Sequence, residues 1–80
     1  MKNIKKYFTS DLALSTTLFT LNFQPVSIDR SDLKKVKFIF NKNKDLITTI
    51  EKFWAGELLV EPVKFYQCLK LLKGRIYSHD

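Results

Sequence analysis

Residue types that carry much of enzyme chemistry are scarce in this sequence of 80 residues. Its one cysteine, Cys68, excludes a disulfide framework or a thiolate zinc site within one chain, and suits a small buried residue in a helix. Its two glycines lie far apart, which excludes a glycine-rich loop around a phosphate. Its one histidine, His79, has no cysteine or second histidine close to it in sequence. We therefore expect no catalytic residue, no metal site and no cofactor, and a protein that is not an enzyme.

Long apolar segments are also missing. No stretch approaches the roughly 18 consecutive apolar residues that span a membrane. The basic start MKNIKKYFTS is followed by a segment with an acid, hydroxyl residues and an asparagine. That composition is typical of an amphipathic helix and not of a signal peptide. These features predict an intracellular, cytoplasmic protein that does not enter a membrane.

The sequence does contain apolar and charged side chains in ordinary globular proportions. Hydrophobic residues make up 45% and charged residues 28%, which is within the range of folded domains. The length allows only one hydrophobic core, so we expect a single domain over residues 1–80, with residues 1–6 as a basic, flexible arm. Fourteen lysines and arginines against eight acids give a formal charge of +6.

The first part of the chain predicts a short strand followed by a helix. Residues 7–9 are expected to form a short edge strand. Ser10 is a candidate N-cap, because its hydroxyl can accept a hydrogen bond from a free backbone N–H. Apolar residues then recur at helical spacing, which predicts a helix over residues 11–21. Asn22 can adopt the left-handed conformation that ends such a helix.

A β-hairpin is expected next, pairing residues 23–29 with residues 34–41. Pro25 lacks a backbone donor and therefore favours an edge strand. Val36, Phe38 and Phe40 alternate with lysines, which is the period-two pattern of a half-buried strand. The sequence thus predicts that these three side chains point into the core.

Two further helices complete the expected fold. The second begins after a cap at Asn43 and ends at Gly56. Its apolar positions are Leu46, Ile47, Ile50, Phe53 and Trp54. The third begins at Pro62, runs to about residue 77 and has the apolar positions Phe65, Leu69, Leu72 and Ile76. The fold class is therefore α+β: a small antiparallel two- or three-stranded sheet covered on one face by three helices, in the order (β)αββαα.

Four short segments also match the pattern of a known family. They are Asp11-Leu12-Ala13, Trp54-x-Gly56, Val60-x-Pro62-x-x-Phe65 and Leu72-Lys73-x-Arg75-Ile76-Tyr77. In these segments the chain resembles a small uncharacterised domain family of prokaryotes and their viruses, whose members usually carry glycine where this chain has Asn22. The resemblance covers nearly the whole chain and implies one compact α+β unit encoded by a mobile or compact genome. It implies no reaction, cofactor or catalytic residue.

The placement of positive charge gives the main indication of function. Residues 62–79 include three lysines and an arginine but no acid. At 100° per residue, four residues form one stripe beside the apolar face of the third helix. They are Tyr66, Lys70, Lys73 and Tyr77. Because ammonium groups neutralise phosphates and aromatic rings stack on bases, the stripe is typical of a nucleic-acid surface; the rim of an aromatic-rich core has the same pattern.

The hairpin carries a second candidate patch at Lys35 and Lys37, next to Lys34. The same lysines also suit the solvated face of a strand. Trp54 has two interpretations as well: a core ring at the end of the second helix, or an exposed anchor for a protein partner.

We therefore expect a non-enzymatic binding module, in the first place an accessory nucleic-acid-binding protein of a virus or mobile element, with DNA or RNA as its partner. The candidate binding residues are Tyr66, Lys70, Lys73, Tyr77, Lys35 and Lys37. The alternative is a small regulator or inhibitor that binds an acidic host protein through aromatic anchors and basic residues. A charge of +6 suits either partner.

Overall fold

The computed structural model of the protein describes residues 5–32 and 34–77. Three strands and three helices follow one another in the expected order. They are β1 (Lys6–Thr9), α1 (Leu12–Thr20), β2 (Ser27–Asp29), β3 (Lys37–Asn41), α2 (Lys44–Trp54) and α3 (Pro62–Tyr77). Within the described ranges, no helix is both long enough and apolar enough to cross a membrane.

The sheet has three strands, and β3 is the central one. The strand order is β1-β3-β2, and both neighbours run antiparallel to β3. Phe8 lies opposite Ile39 on one side, and Ser27 lies opposite Ile39 on the other. The expected short edge strand is therefore a full member of the sheet.

The core lies between the sheet and the helices. Alternation along β3 buries Phe38 and Phe40, each of which is 1% exposed, and leaves Val36 half-buried just before the strand. The buried apolar cluster consists of Leu14, Leu18, Phe38, Phe40, Leu46, Ile50 and Leu72. Because every helix contributes to this cluster, the helices cover the same face of the sheet. The α+β class and the order of the elements are confirmed.

Helix α1 is buried on most of its circumference, since it packs against both α2 and α3. Three buried or nearly buried threonines lie in it, and each donates its hydroxyl to the carbonyl four residues earlier. The bonds run from Thr16 to Leu12, from Thr17 to Ala13 and from Thr20 to Thr16, at 2.7–2.8 Å. These bonds let polar side chains enter the core without losing a hydrogen-bond partner.

The ends of α1 and α2 are fixed by single side chains. Asp11, and not Ser10, is the N-cap of α1: its Oδ1 accepts a bond from the backbone N–H of Leu14 at 3.0 Å. A carboxylate at this position also meets the positive end of the helix dipole, which favours it over a hydroxyl one residue earlier. Asn43 caps α2 as expected by accepting from Leu46 at 2.8 Å. Gly56 follows α2 with a φ of +71°.

The hairpin is shorter than the sequence predicts. Asn22 has a φ of +75°, as expected, and the N–H of Phe23 then donates to the carbonyl of Leu18. Phe23 thus belongs to the end of α1, and β2 begins only at Ser27. On the other side, Lys34 and Lys35 belong to the turn, because their N–H groups bond to Asp32.

Residues 1–6 were expected to form a basic, flexible arm. Lys5 and Lys6 take part in the sheet: the carbonyl of Lys5 accepts from the N–H of Lys42 at 2.8 Å, and Lys6 opens β1. Residues 1–4 and 78–80, including His79, lie outside the described residues.

We predict that Phe38→Ala destabilises the protein by about 3–5 kcal/mol, because it removes a fully buried ring and leaves a cavity. Since small domains have only about 5–15 kcal/mol of stability, much of the variant should be unfolded near body temperature. Thermal melts followed by circular dichroism measure this. Phe8→Ala is the matched control, since it deletes the same ring from the exposed face of the neighbouring strand, and it should cost far less. Equal losses from the two variants would contradict the assignment of strand faces.

A second prediction concerns acid. The backbone N–H groups of Val63 and Lys64 donate to the Glu61 carboxylate at the start of α3 and hold its pKa below the ordinary 4.5. Because the pKa of Glu61 is lower in the folded than in the unfolded protein, its carboxylate stabilises the fold at pH values above the pKa of the unfolded state. This stabilisation is lost as the pH falls through the pKa of the folded state. Glu61→Ala should therefore lower the melting temperature at neutral pH, and the difference from the unmodified protein should shrink at pH values below 4.5. Glu57→Ala, which removes an exposed carboxylate from the segment between α2 and α3, is the matched control and should change the melting temperature little at neutral pH.

Candidate nucleic-acid interface

Two open pockets adjoin at the end of the sheet where β3 begins. The first, of about 590 Å³, is lined by Phe8, Thr9, Ser10, Asp11, Lys35 and Lys37. The second, of about 580 Å³, is lined by Ser10, Leu12, Lys34, Lys35, Val36, Phe38, Ile76 and Tyr77. Ser10 and Lys35 line both, so the two pockets are direct neighbours. We call the two pockets together the basic groove.

Three elements hold the walls of the basic groove in place. Lys37 is the first residue of β3 and lies opposite Asp29. Because side chains alternate along a strand and Phe38 is buried, Lys37 points away from the core. Lys34 and Lys35 follow from the turn before β3. Tyr77 ends α3, and the guanidinium of Arg30 donates to the carbonyl of Arg75 close to that end. That bond ties the last turn of α3 to the hairpin.

The electrostatics of the basic groove are dominated by its three lysines. Among the described residues that line it, Asp11 is the one acid, and its carboxylate is engaged as the cap of α1. Asp29 lies next to Lys37 on the sheet. The backbone N–H of Ser31 donates to Asp29 and lowers its pKa, and the Ser31 side chain and the Lys37 ammonium act in the same direction. Asp29 is therefore ionised at neutral pH and neutralises part of the charge at one corner.

The predicted stripe lies on the exposed side of α3. Tyr66 is 58% exposed and Tyr77 is 75% exposed, and both lysines of the stripe are exposed as well. The ammonium of Lys70 lies 4.8 Å from the centre of the Tyr66 ring, which is a cation–π contact. One face of Tyr66 is thus already occupied, whereas Tyr77 lines the basic groove.

The six candidate residues are therefore brought together in part. Lys35, Lys37 and Tyr77 come from distant parts of the sequence and meet at the basic groove. Tyr66, Lys70 and Lys73 lie along α3 on the way to Tyr77. From Tyr66 to Tyr77 the helix rises by about 16 Å, at 1.5 Å per residue.

Trp54 is not a core residue: it is 64% exposed, so that interpretation is wrong. Its neighbour Phe53 packs against the core cluster instead, and Trp54 meets the Phe53 ring edge-on with 4.9 Å between ring centres. Adjacent side chains on a helix point in different directions, so at the end of α2 only Phe53 of this pair reaches the core. Cys68 is buried, as the sequence indicates.

Sequence reasoning missed Phe8, which lines the basic groove and is 50% exposed. The alternation of a strand places Phe8 on the same face as Lys6, and this face of β1 is exposed, whereas Tyr7 and Thr9 are half-buried. The lysine two residues before Phe8 was the signal for this exposure. Residues 5–32 and 34–77 contain no group of three or more histidine, cysteine or acidic side chains placed to hold a metal ion.

A family described as a domain of unknown function, DUF5659, matches residues 4–78. The chain belongs to this family. The DUF5659 match spans the whole described structure, in agreement with the resemblance to a small uncharacterised domain family. No curated protein and no solved structure matches the sequence. What a DUF5659 domain does must therefore be argued from its surface.

Proposed function

We propose that this protein is a non-enzymatic nucleic-acid-binding module that contacts the phosphate backbone of DNA or RNA. One observation carries the proposal: Lys35 lines both of two neighbouring pockets, one of which also holds Lys37 and the other Tyr77. The resemblance to a family of prokaryotes and their viruses supports a role as an accessory protein of a virus or mobile element.

The distribution of acids supports the proposal. The strand β3 and the helix α3 contain no acidic residue. Together they supply four of the six candidate residues, which are Lys37, Lys70, Lys73 and Tyr77. A phosphate chain that follows the basic groove onto α3 would meet lysines and exposed rings in turn. Each lysine that contacts a phosphate releases counterions, which favours binding most strongly at low salt.

The chemistry of these groups favours general over sequence-specific binding. An ammonium is a point charge that recognises phosphate oxygens, and such contacts position a protein without reading bases. Specific reading uses side chains such as arginine or asparagine that make paired bonds to base edges. The residues of the basic groove and of the stripe are lysines and tyrosines, so we expect affinity with little dependence on sequence.

The first test replaces Lys35 and Lys37 together by glutamine. Both DNA and RNA probes should bind more weakly, and the slope of log affinity against log salt should fall by about 1.8 on duplex DNA, or about 0.9 per lost phosphate contact. Fluorescence anisotropy titrations at several salt concentrations measure the slope. Lys52→Gln with Lys64→Gln is the matched control, since it removes the same charge from exposed positions outside the basic groove.

The proposal fails if the unmodified protein shifts no DNA or RNA probe at low salt. It also fails in its present form if the control pair changes the slope as much as Lys35 and Lys37 do. In that case only the total charge would matter, and the basic groove would have no special role.

A second test asks whether the bound strand continues along α3. If it does, replacing Lys70 and Lys73 by glutamine should lower the salt slope by about two. Tyr77→Leu should weaken single-strand binding by roughly 1–3 kcal/mol if a base stacks there. Tyr66→Leu should have the smaller effect, because Lys70 already covers one face of that ring. Since both tyrosines are exposed, melting curves should change little and so separate a binding loss from a folding loss.

A protein partner is the second candidate function, and the exposure of Trp54 favours it. Trp54 at the end of α2 and Leu59 in the segment that joins α2 to α3 are exposed large apolar side chains, and Leu59 is 93% exposed. Exposed tryptophans are over-represented at binding hot spots. A pull-down from host extract with and without nuclease separates the two functions. A complex that resists nuclease and is lost in Trp54→Ala would support a regulator that binds an acidic host protein.

A further inference from the structure

The outer face of the sheet, turned away from the helices, carries a row of side chains that crosses all three strands. The row is formed by the exposed Phe8 on β1, the half-buried Ile39 on β3 and the polar Ser27 on β2, which lie opposite one another in register. Phe8 is 50% exposed, and neither Phe8 nor Ile39 packs against the core cluster. We call this row the outer platform.

The geometry of the outer platform suits a flat ring. Side chains directly opposite on antiparallel strands have Cβ atoms about 4.5–5.5 Å apart, so Phe8 and Ile39 form a single apolar surface. Ser27 beside them is short and leaves the far side of Ile39 open. A base placed on Phe8 would therefore also cover Ile39.

Positive charge flanks the outer platform on both sides along the strand direction. Lys6 and Lys37 point to the same face as Phe8, because each lies two residues from a member of the row. Their positions along the sheet are four residues apart, about 13 Å. The ammonium of Lys6 bonds to Oδ1 of Asn41 at 2.6 Å, which holds it over the sheet. Asp29 offsets part of the charge of Lys37, while Lys35 adds to it from the adjoining basic groove.

We propose that the outer platform is a base-stacking site for single-stranded nucleic acid, with Phe8 as the stacking ring and Lys6 and Lys37 as contacts to the flanking phosphates. The inference rests on the proposed function and adds to it a preference for single strands. In a duplex the bases are stacked on one another and only their edges are accessible. A flat aromatic surface can take up only bases that are free of such stacking.

A second copy of the chain is a less suitable occupant of the same face. Packing two outer platforms against each other would bring Lys6 and Lys37 of both copies into one interface. Such like-charge contacts are costly when they are desolvated. A strand of phosphates has the opposite charge and removes this cost.

The test uses the full chain and two labelled probes, an oligo-dT strand and a duplex of the same length. Phe8→Ala should weaken binding to the oligo-dT strand about 5- to 150-fold and leave duplex binding unchanged within about twofold. Trp54→Ala is the matched control, since it removes an exposed aromatic ring from the end of α2, and it should leave both affinities unchanged.

A direct signal comes from moving the only tryptophan of the sequence. The double variant Phe8→Trp with Trp54→Phe keeps an aromatic ring at both positions. Oligo-dT should quench its fluorescence through stacking, and the duplex should not. The same oligo-dT should leave the fluorescence of the unmodified protein, which reports on Trp54, nearly unchanged.

The outcomes separate the two proposals. If both probes bind but Phe8→Ala changes neither affinity, or both equally, the outer platform is not a stacking site, while the proposed function stands. If neither probe binds at low salt, both proposals are overturned. Sedimentation of the unmodified protein as a dimer, and of Phe8→Ala as a monomer, without nucleic acid would instead show that a second copy covers this face, which also overturns the inference.

Discussion

The burial of Phe38 and Phe40 on the central strand is the constraint on which the rest of the structure depends. Because β3 is hydrogen-bonded on both edges, its two phenylalanines fix the face that every residue of the sheet shows to solvent. A slip of one residue would send Lys37 and Ile39 into the core, which the cost of burying a charge forbids. The positions of Lys37 on the basic groove and of Ile39 on the outer platform are thus consequences of core packing.

The packing of the three helices is limited by a different constraint, which is the small size of the core. Helix α1 lies against both other helices, and it is buried at threonines as well as at leucines. Hydroxyl bonds to the preceding turn make this possible, since a short polar side chain fills little space and finds its partner within its own helix. The three helices cover one face of the sheet, and Lys6, Phe8 and Lys37 lie on the opposite face.

Most of the fold could be predicted from local patterns. The cap at Asn43, the left-handed residues Asn22 and Gly56, and the start of α3 at Pro62 each follow from the chemistry of one residue. The cap of α1, the length of the hairpin and Trp54 were exceptions. For Trp54 the reason is that helical spacing cannot tell which of two adjacent aromatic residues at a helix end reaches the core. The basic groove could not be predicted either. The proximity of Lys35 and Tyr77 depends on how the end of α3 meets the hairpin, and that contact is tertiary.

The acids of the chain show why its positive charge remains available to a partner. Asp11, Asp29, Asp32 and Glu61 all accept hydrogen bonds from backbone N–H groups at helix starts and turns. Their positions are set by those bonds and not by the lysines. Half of the eight acids are thus held at caps and turns, and β3 and α3 carry lysines without acids. The positive field of a chain with a net charge of +6 should therefore be strongest near these two elements. Such a field attracts polyanions from a distance of about one Debye length, near 8 Å at physiological salt. Short-range selection between a duplex and a single strand must then come from the uncharged groups, and on this surface Phe8 and Tyr77 are the exposed aromatic rings closest to the lysines of the basic groove.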